Sequence, residues 1–247
     1  MSMGAGVVIG LITAINDNGM VKVKYPWLPN EPETDWIRIA TTMAGNNRGT
    51  FFMPEKDDEV LIAFEHGDRN YPYVIGFLWN GKDRPPETSK DVRRIKTTSG
   101  HTIEFNDGND RKIHIESEDK QVVELADKPG GGVITVRTKN GNVVEIDDSN
   151  GGNITINSTG TIGITAMRDA NIVSTTGSLV VSSATGALTI DCLSATVTAK
   201  SSLTLAAPTV TCLGVLYVPT IMATTGQFGA VVSGVYNPGT VGTLIGL

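Results

Sequence analysis

The sequence predicts an all-β chain. A closed N-terminal barrel is followed by a needle in which three copies wind into an intertwined, triple-stranded β-helix. Three observations predict it. Five short apolar runs with period-two alternation lie between residues 6 and 80, separated by Gly, Pro, Asn and Asp. From Ile103 to Cys212 an apolar–x–apolar pair recurs at near-constant spacing. Charge also drains away along the chain. Of 20 Lys/Arg and 26 Asp/Glu residues, only Arg168, Asp169, Asp191 and Lys200 lie beyond residue 153.

The barrel strands are justified in order. Val7–Ile15 is a β-rich run closed by the turn Asn16-Asp17-Asn18-Gly19. Met20–Tyr25 alternates, with Val21 and Val23 on one face and Lys22 and Lys24 on the other. Pro26 and Pro29 force a loop, because proline cannot donate to a strand ladder. Trp36–Thr42 alternates again. Val60–Glu65 and Tyr73–Trp79 are joined by the turn His66-Gly67-Asp68-Arg69-Asn70. Five short strands in so few residues fit a closed Greek-key barrel of the OB type over residues 1–80. Asn80–Asp91 is polar and carries Pro85-Pro86, so residues 81–96 read as a linker.

Residues 97–218 carry the repeat. The first pairs are Ile103/Phe105, Ile113/Ile115, Val123/Leu125, Ile134/Val136, Val144/Ile146 and Ile154/Ile156, at steps of 10 or 11 residues. From there the step falls to between 7 and 9 residues, through Ile162/Ile164, Leu188/Ile190 and Leu203/Leu205 to Val210/Cys212. A step of eight holds one strand and one turn. It supplies one wall of a core, and three copies about one axis supply the other two. Every strand is then expected to pair above and below with a neighbouring chain. The predicted trimer core is Ile154, Ile156, Ile162, Ile164, Leu188, Ile190, Leu203 and Leu205. At about 4.8 Å per level, thirteen levels make a stiff shaft of roughly 60 Å.

The segments Gly19–Leu28, Asp35–Ile39, Phe51-Phe52-Met53-Pro54, Asp57–Asp68 and Tyr71–Gly76 resemble the baseplate spike family. That family comprises phage baseplate assembly protein V, the central spikes of contractile tails and the VgrG spikes of type VI secretion. Thr97–Phe105 looks like the start of a VgrG-type β-prism. The resemblance implies a homotrimer with its barrels under a hub or tube and its needle aimed at a membrane. Without a large domain before the barrel, the hub is expected to be a separate polypeptide. No His-x-His stands near the C-terminus, so the apical metal site of some phage spikes is not expected. A separate PAAR-like tip protein is one candidate cover for the blunt end of the needle.

Catalytic and metal chemistry finds little support. Three histidines make histidine-rich metal sites and most triads improbable by inventory. Glu65, His66 and Asp68 fit a solvated turn rather than an acid/base cluster. Asn106–Asp110 lacks the ligand alternation of a calcium loop and reads as a hairpin turn. His101 and His114 read as polar surface residues. Cys192 and Cys212 fall on the apolar rhythm and are expected to pack as small buried hydrophobes. Neither a catalytic residue nor a cofactor is expected. A net charge of −6 argues against nucleic acid as a partner. No run is long and apolar enough for a spanning helix. Gly4–Ile15 lacks the preceding cation of a secretory signal.

Residues 219–247 break the rhythm and stay apolar and uncharged. Phe228, Val241, Leu244, Ile245 and Leu247 are the expected tip contacts, either folded on their own trimer or docked to a tip protein or membrane. The expected function is a non-enzymatic, homotrimeric spike of a contractile tail baseplate, assembled in the bacterial cytoplasm and carried in a virion tail or an extracellular contractile particle. It would puncture the target envelope and plug the tube–hub complex. The alternatives are a type VI spike or effector carrier and, from another class, a β-solenoid polysaccharide-binding adhesin or enzyme. The last would need clustered carboxylates and aromatics that residues 154–247 lack.

Overall fold

The computed structural model describes residues 6–217, and all its regular secondary structure is β apart from two short 3-10 turns. The expected tip contacts Phe228, Val241, Leu244, Ile245 and Leu247 lie outside the described residues.

Five strands close the barrel: β1 (Val8–Ile15), β2 (Met20–Lys24), β3 (Ile37–Ile39), β6 (Glu59–Phe64) and β7 (Pro72–Phe77). Their order is β1-β2-β3-β7-β6, with β6 returning to β1. All pairings are antiparallel except β3 with β7, which is parallel. This is the OB topology that the five runs predict. The inward side chains Ile12, Val21, Val23, Ile37, Val60, Ile62 and Val74 form the core. Gly10 sits where any Cβ would collide with the Val23 and Ile62 side chains, so β1 can close on β2 and β6 only with glycine there. The sequence carries no warning of β4 (Ala44–Gly45) and β5 (Arg48–Gly49), a two-residue hairpin inside the β3–β6 connection.

Seven further strands form one antiparallel meander: β8 (Val92–Lys96), β9 (Thr102–Asn106), β10 (Lys112–Glu116), β11 (Val122–Ala126), β12 (Val133–Arg137), β13 (Val143–Asp147) and β14 (Asn153–Asn157). Two expectations are corrected here. Strand β8 falls inside the stretch read as linker. The strands of residues 92–157 pair with neighbours in their own chain, not with another copy. The physical reason is the step length. Ten residues hold a five-residue strand plus a tight reversal, which is enough to fold straight back. Eight residues are too few for a five-residue strand and the same reversal, and beyond Asn157 no further strand is described.

The reversals on one edge are copies of a single turn. Thr97, Ser117 and Thr138 each accept, through the side-chain hydroxyl, a hydrogen bond from the backbone N–H four residues on, at 3.1, 3.1 and 3.2 Å. The fourth residue of the turn is left-handed: Gly100 (φ 103°), Lys120 (φ 65°) and Gly141 (φ 91°). Lysine there bears a steric cost of roughly 1 kcal/mol that glycine avoids. Its exposed ion pair with Glu116, at 2.6 Å, offsets only part of that. Lys120→Gly is therefore expected to raise stability by roughly 0.5 kcal/mol, read as a higher urea midpoint.

Candidate functional site: the apolar face of the sheet

Period-two alternation puts one half of each strand on each face of the meander. The register aligns the sequence pairs into two columns. One runs Ile95, Ile103, Ile115, Val123, Val136, Val144, Ile156. The other begins at Arg93 and continues Phe105, Ile113, Leu125, Ile134, Ile146, Ile154. Every apolar member of both columns is exposed in the single chain, by 37% at Val123 and 68% at Ile154.

Thirteen such side chains exceed what an isolated soluble protein shows. At roughly 70 Å² apiece they expose about 900 Å², against 300–600 Å² for the largest patch of a typical monomer. Covering them would yield on the order of 20 kcal/mol per chain at about 25 cal/mol/Å². Association costs roughly 4–15 kcal/mol, so this face can drive assembly by itself. The predicted members of the trimer core continue the pattern. Ile154, Ile156, Ile162, Ile164, Leu188, Ile190, Leu203 and Leu205 are each more than half exposed. Cys192 and Cys212, expected to be buried, are exposed and unpaired in the single chain. Their burial, like that of the Ile and Leu pairs, needs something beyond one chain. Ile95 belongs to the first column but escapes the sequence repeat, because its partner position two residues back is Arg93.

The middle row of the opposite face is polar. Arg94, Glu104, His114, Glu124, Thr135, Glu145 and Thr155 stand in register across all seven strands. Arg94 grips the buried Glu104 carboxylate, donating through Nε at 3.0 Å, and reaches Glu87 at 3.0 Å and the Pro86 carbonyl at 3.0 Å. It thereby pins the linker to the sheet. His114 Nδ1 lies 2.8 Å from Glu124 Oε2, and Lys112 Nζ is 3.3 Å from the same oxygen. Partial burial pushes the Glu124 carboxyl up, but the hydrogen bond to His114 and the Lys112 charge outweigh it, leaving a net downward shift. The hydrogen bond from Lys120 likewise lowers Glu116. Arg94, Glu104, His114, Glu116 and Lys120 line a shallow cleft of about 410 Å³. No cluster of three or more potential metal ligands occurs among the described residues.

The other candidate groups stay apart. Glu65, His66 and Asp68 form an exposed 3-10 turn in which Asp68 N–H donates to the Glu65 carbonyl at 2.8 Å. Asn106–Asp110 is the β9–β10 reversal. His101 is exposed, and its Nδ1 accepts from the Glu118 N–H at 3.2 Å.

Comparison with known proteins agrees with the barrel topology. Residues 6–79 match the type VI secretion system/phage-baseplate injector OB domain. Similar proteins include the actin cross-linking toxin VgrG1 of Vibrio cholerae, 30% identical over 94 residues, covering 34% of this chain and 9% of the relative. The type VI secretion system spike protein VgrG2a of Pseudomonas aeruginosa is 30% identical over 99 residues, covering 38% of this chain and 12% of the relative. VgrG1c of the same species is 27% identical over 137 residues, or 49% of this chain and 19% of the relative. The chain thus spans less than a fifth of the length of these relatives. The longest of these alignments covers 49% of this chain, more than the 74 residues of the barrel match. Residues 6–79 are thus an OB domain of the type VI secretion system/phage-baseplate injector kind, and the chain is similar to VgrG spike proteins.

Proposed function

We propose that this chain is the homotrimeric central spike of a contractile tail baseplate, a mechanical part and not an enzyme. The observation that carries the proposal is the pair of apolar columns left open on one face of the sheet. Three such faces turned toward one axis enclose a core and leave the charged ladder of Arg94, Glu104, His114 and Glu124 on the side away from that axis. Beyond residue 157 the pairs Ile162/Ile164, Leu188/Ile190 and Leu203/Leu205 extend that core, with the three chains intertwined. The resulting body is stiff along its axis. It carries force from a contracting sheath to the target bacterial envelope, which it touches only transiently.

The barrels face the hub or tube, and the C-terminal end takes a PAAR-like tip protein. The machine is a virion tail or an extracellular contractile particle, assembled in the bacterial cytoplasm. A type VI spike is the second reading, favoured by the names of the relatives. Nucleic acid has no place in either. Electron microscopy of the purified chain tests the reading by shape: a three-lobed head on a thin shaft is expected, whereas isolated globules would contradict it.

A further inference from the structure

The barrel carries a second unpartnered apolar feature. The loop between β3 and β6 presents Met43, Phe51 and Phe52, exposed by 55%, 79% and 61%. It is a built structure. Thr50 N–H donates to the Met43 carbonyl at 3.0 Å, the Thr41 hydroxyl donates to the Thr50 carbonyl at 2.9 Å, and the Thr42 and Thr50 hydroxyls meet at 2.9 Å. Phe51 also lies beside Gly19, in the β1–β2 turn.

Topology fixes where this loop stands. β1, β3 and β7 all run in the same direction, because β3 is parallel to β7 and both β1 and β7 are antiparallel to β6. The C-terminal ends of these three strands therefore share one pole of the barrel. From that pole leave the Asn16–Gly19 turn, the Met43/Phe51/Phe52 loop and, after Phe77, the chain toward the sheet.

We infer that the Met43/Phe51/Phe52 loop docks against a neighbouring copy of this chain at the base of the barrel. Size decides the occupant. The three side chains expose roughly 350 Å², well under the ~800 Å² per partner of a stable free complex. A diffusing partner would not stay bound. A copy already tethered through the sheet meets the loop at an effective concentration in the mM range, across fewer than fifteen residues of connection. At that concentration a weak apolar contact is occupied. The inference rests on the trimer proposed above, whose core is a separate surface. The loop thus fixes the barrels to one another, while the sheet holds the copies together.

Hydroxyl-radical footprinting of the full chain, with its mass measured in parallel, tests this. In a trimer, Met43, Phe51 and Phe52 should be oxidised several-fold more slowly than in the urea-unfolded chain. The double substitution Phe51→Ser/Phe52→Ser should leave the mass at three copies and bring Met43 to the unfolded rate. A trimer whose Met43, Phe51 and Phe52 react as fast as in the unfolded chain overturns the docking but leaves the trimer standing. A monomeric wild-type chain overturns both. Loss of the trimer in the double variant would also overturn the inference, because the loop would then be part of the assembly core.

Discussion

Ile146→Asp is expected to convert the assembled protein into folded single chains of 26.1 kDa. Ile146 sits in the second apolar column between Ile134 and Ile154, in register on both sides. In one chain it is 38% exposed, so a carboxylate there costs the isolated sheet little. In a trimer the same position brings three carboxylates toward one axis with no partner. Desolvating each costs several kcal/mol, and their mutual repulsion adds to that. Association fails, while the barrel core, built from other residues, is untouched. Thr135→Lys is the matched control. Thr135 lies on the opposite face between Glu124 and Glu145, where a cation finds two carboxylates and the mass should not change. Light scattering on both variants separates the faces. Dissociation by Thr135→Lys together with a surviving Ile146→Asp trimer would mean that the wrong face had been taken as the core.

Ile62→Ala is expected to do the reverse, melting the barrel while leaving the assembly whole. Ile62 is fully buried with Ile12, Val21, Val23, Val60 and Val74. Truncation removes three carbons and leaves a cavity, a loss of roughly 2–5 kcal/mol. A domain of this size holds only about 4–11 kcal/mol in total. The midpoint should fall by ~10 °C or more, at 4–8 °C per kcal/mol. Tryptophan fluorescence reads the event selectively, because the three tryptophans are Trp27, Trp36 and Trp79, all within the barrel or at its exit. An unchanged fluorescence melt would contradict the barrel core.

The barrel is legible in the sequence because its strands alternate cleanly and are punctuated by turn residues. Val21 and Val23 against Lys22 and Lys24 show both faces at a glance. The β4–β5 hairpin is not legible, since Ala-Gly and Arg-Gly carry no strand signature and are held by turn geometry. The apolar columns are written in the repeat, because two apolar residues on one face of each strand recur at a nearly fixed step. Their pairing partners are hidden. Ile113 and Ile115 look the same whether their neighbours across the ladder belong to this chain or another. The change of step after Ile154 is the available signal: ten residues allow the chain to reverse and pair with itself, and eight do not. Arg93 masks the start of the sheet by replacing an apolar residue at the head of its column. The polar ladder is invisible for a different reason. Arg94, Glu104, His114 and Glu124 lie at steps of ten, but their ion pairs depend on a register that sequence spacing leaves undefined.

Light scattering on the purified wild-type chain tests the central claim most directly, namely that the open apolar face is covered by two further copies. A mass near 78 kDa, three times 26.1 kDa, is expected. A well-folded chain that remains at 26.1 kDa at micromolar concentration would contradict it.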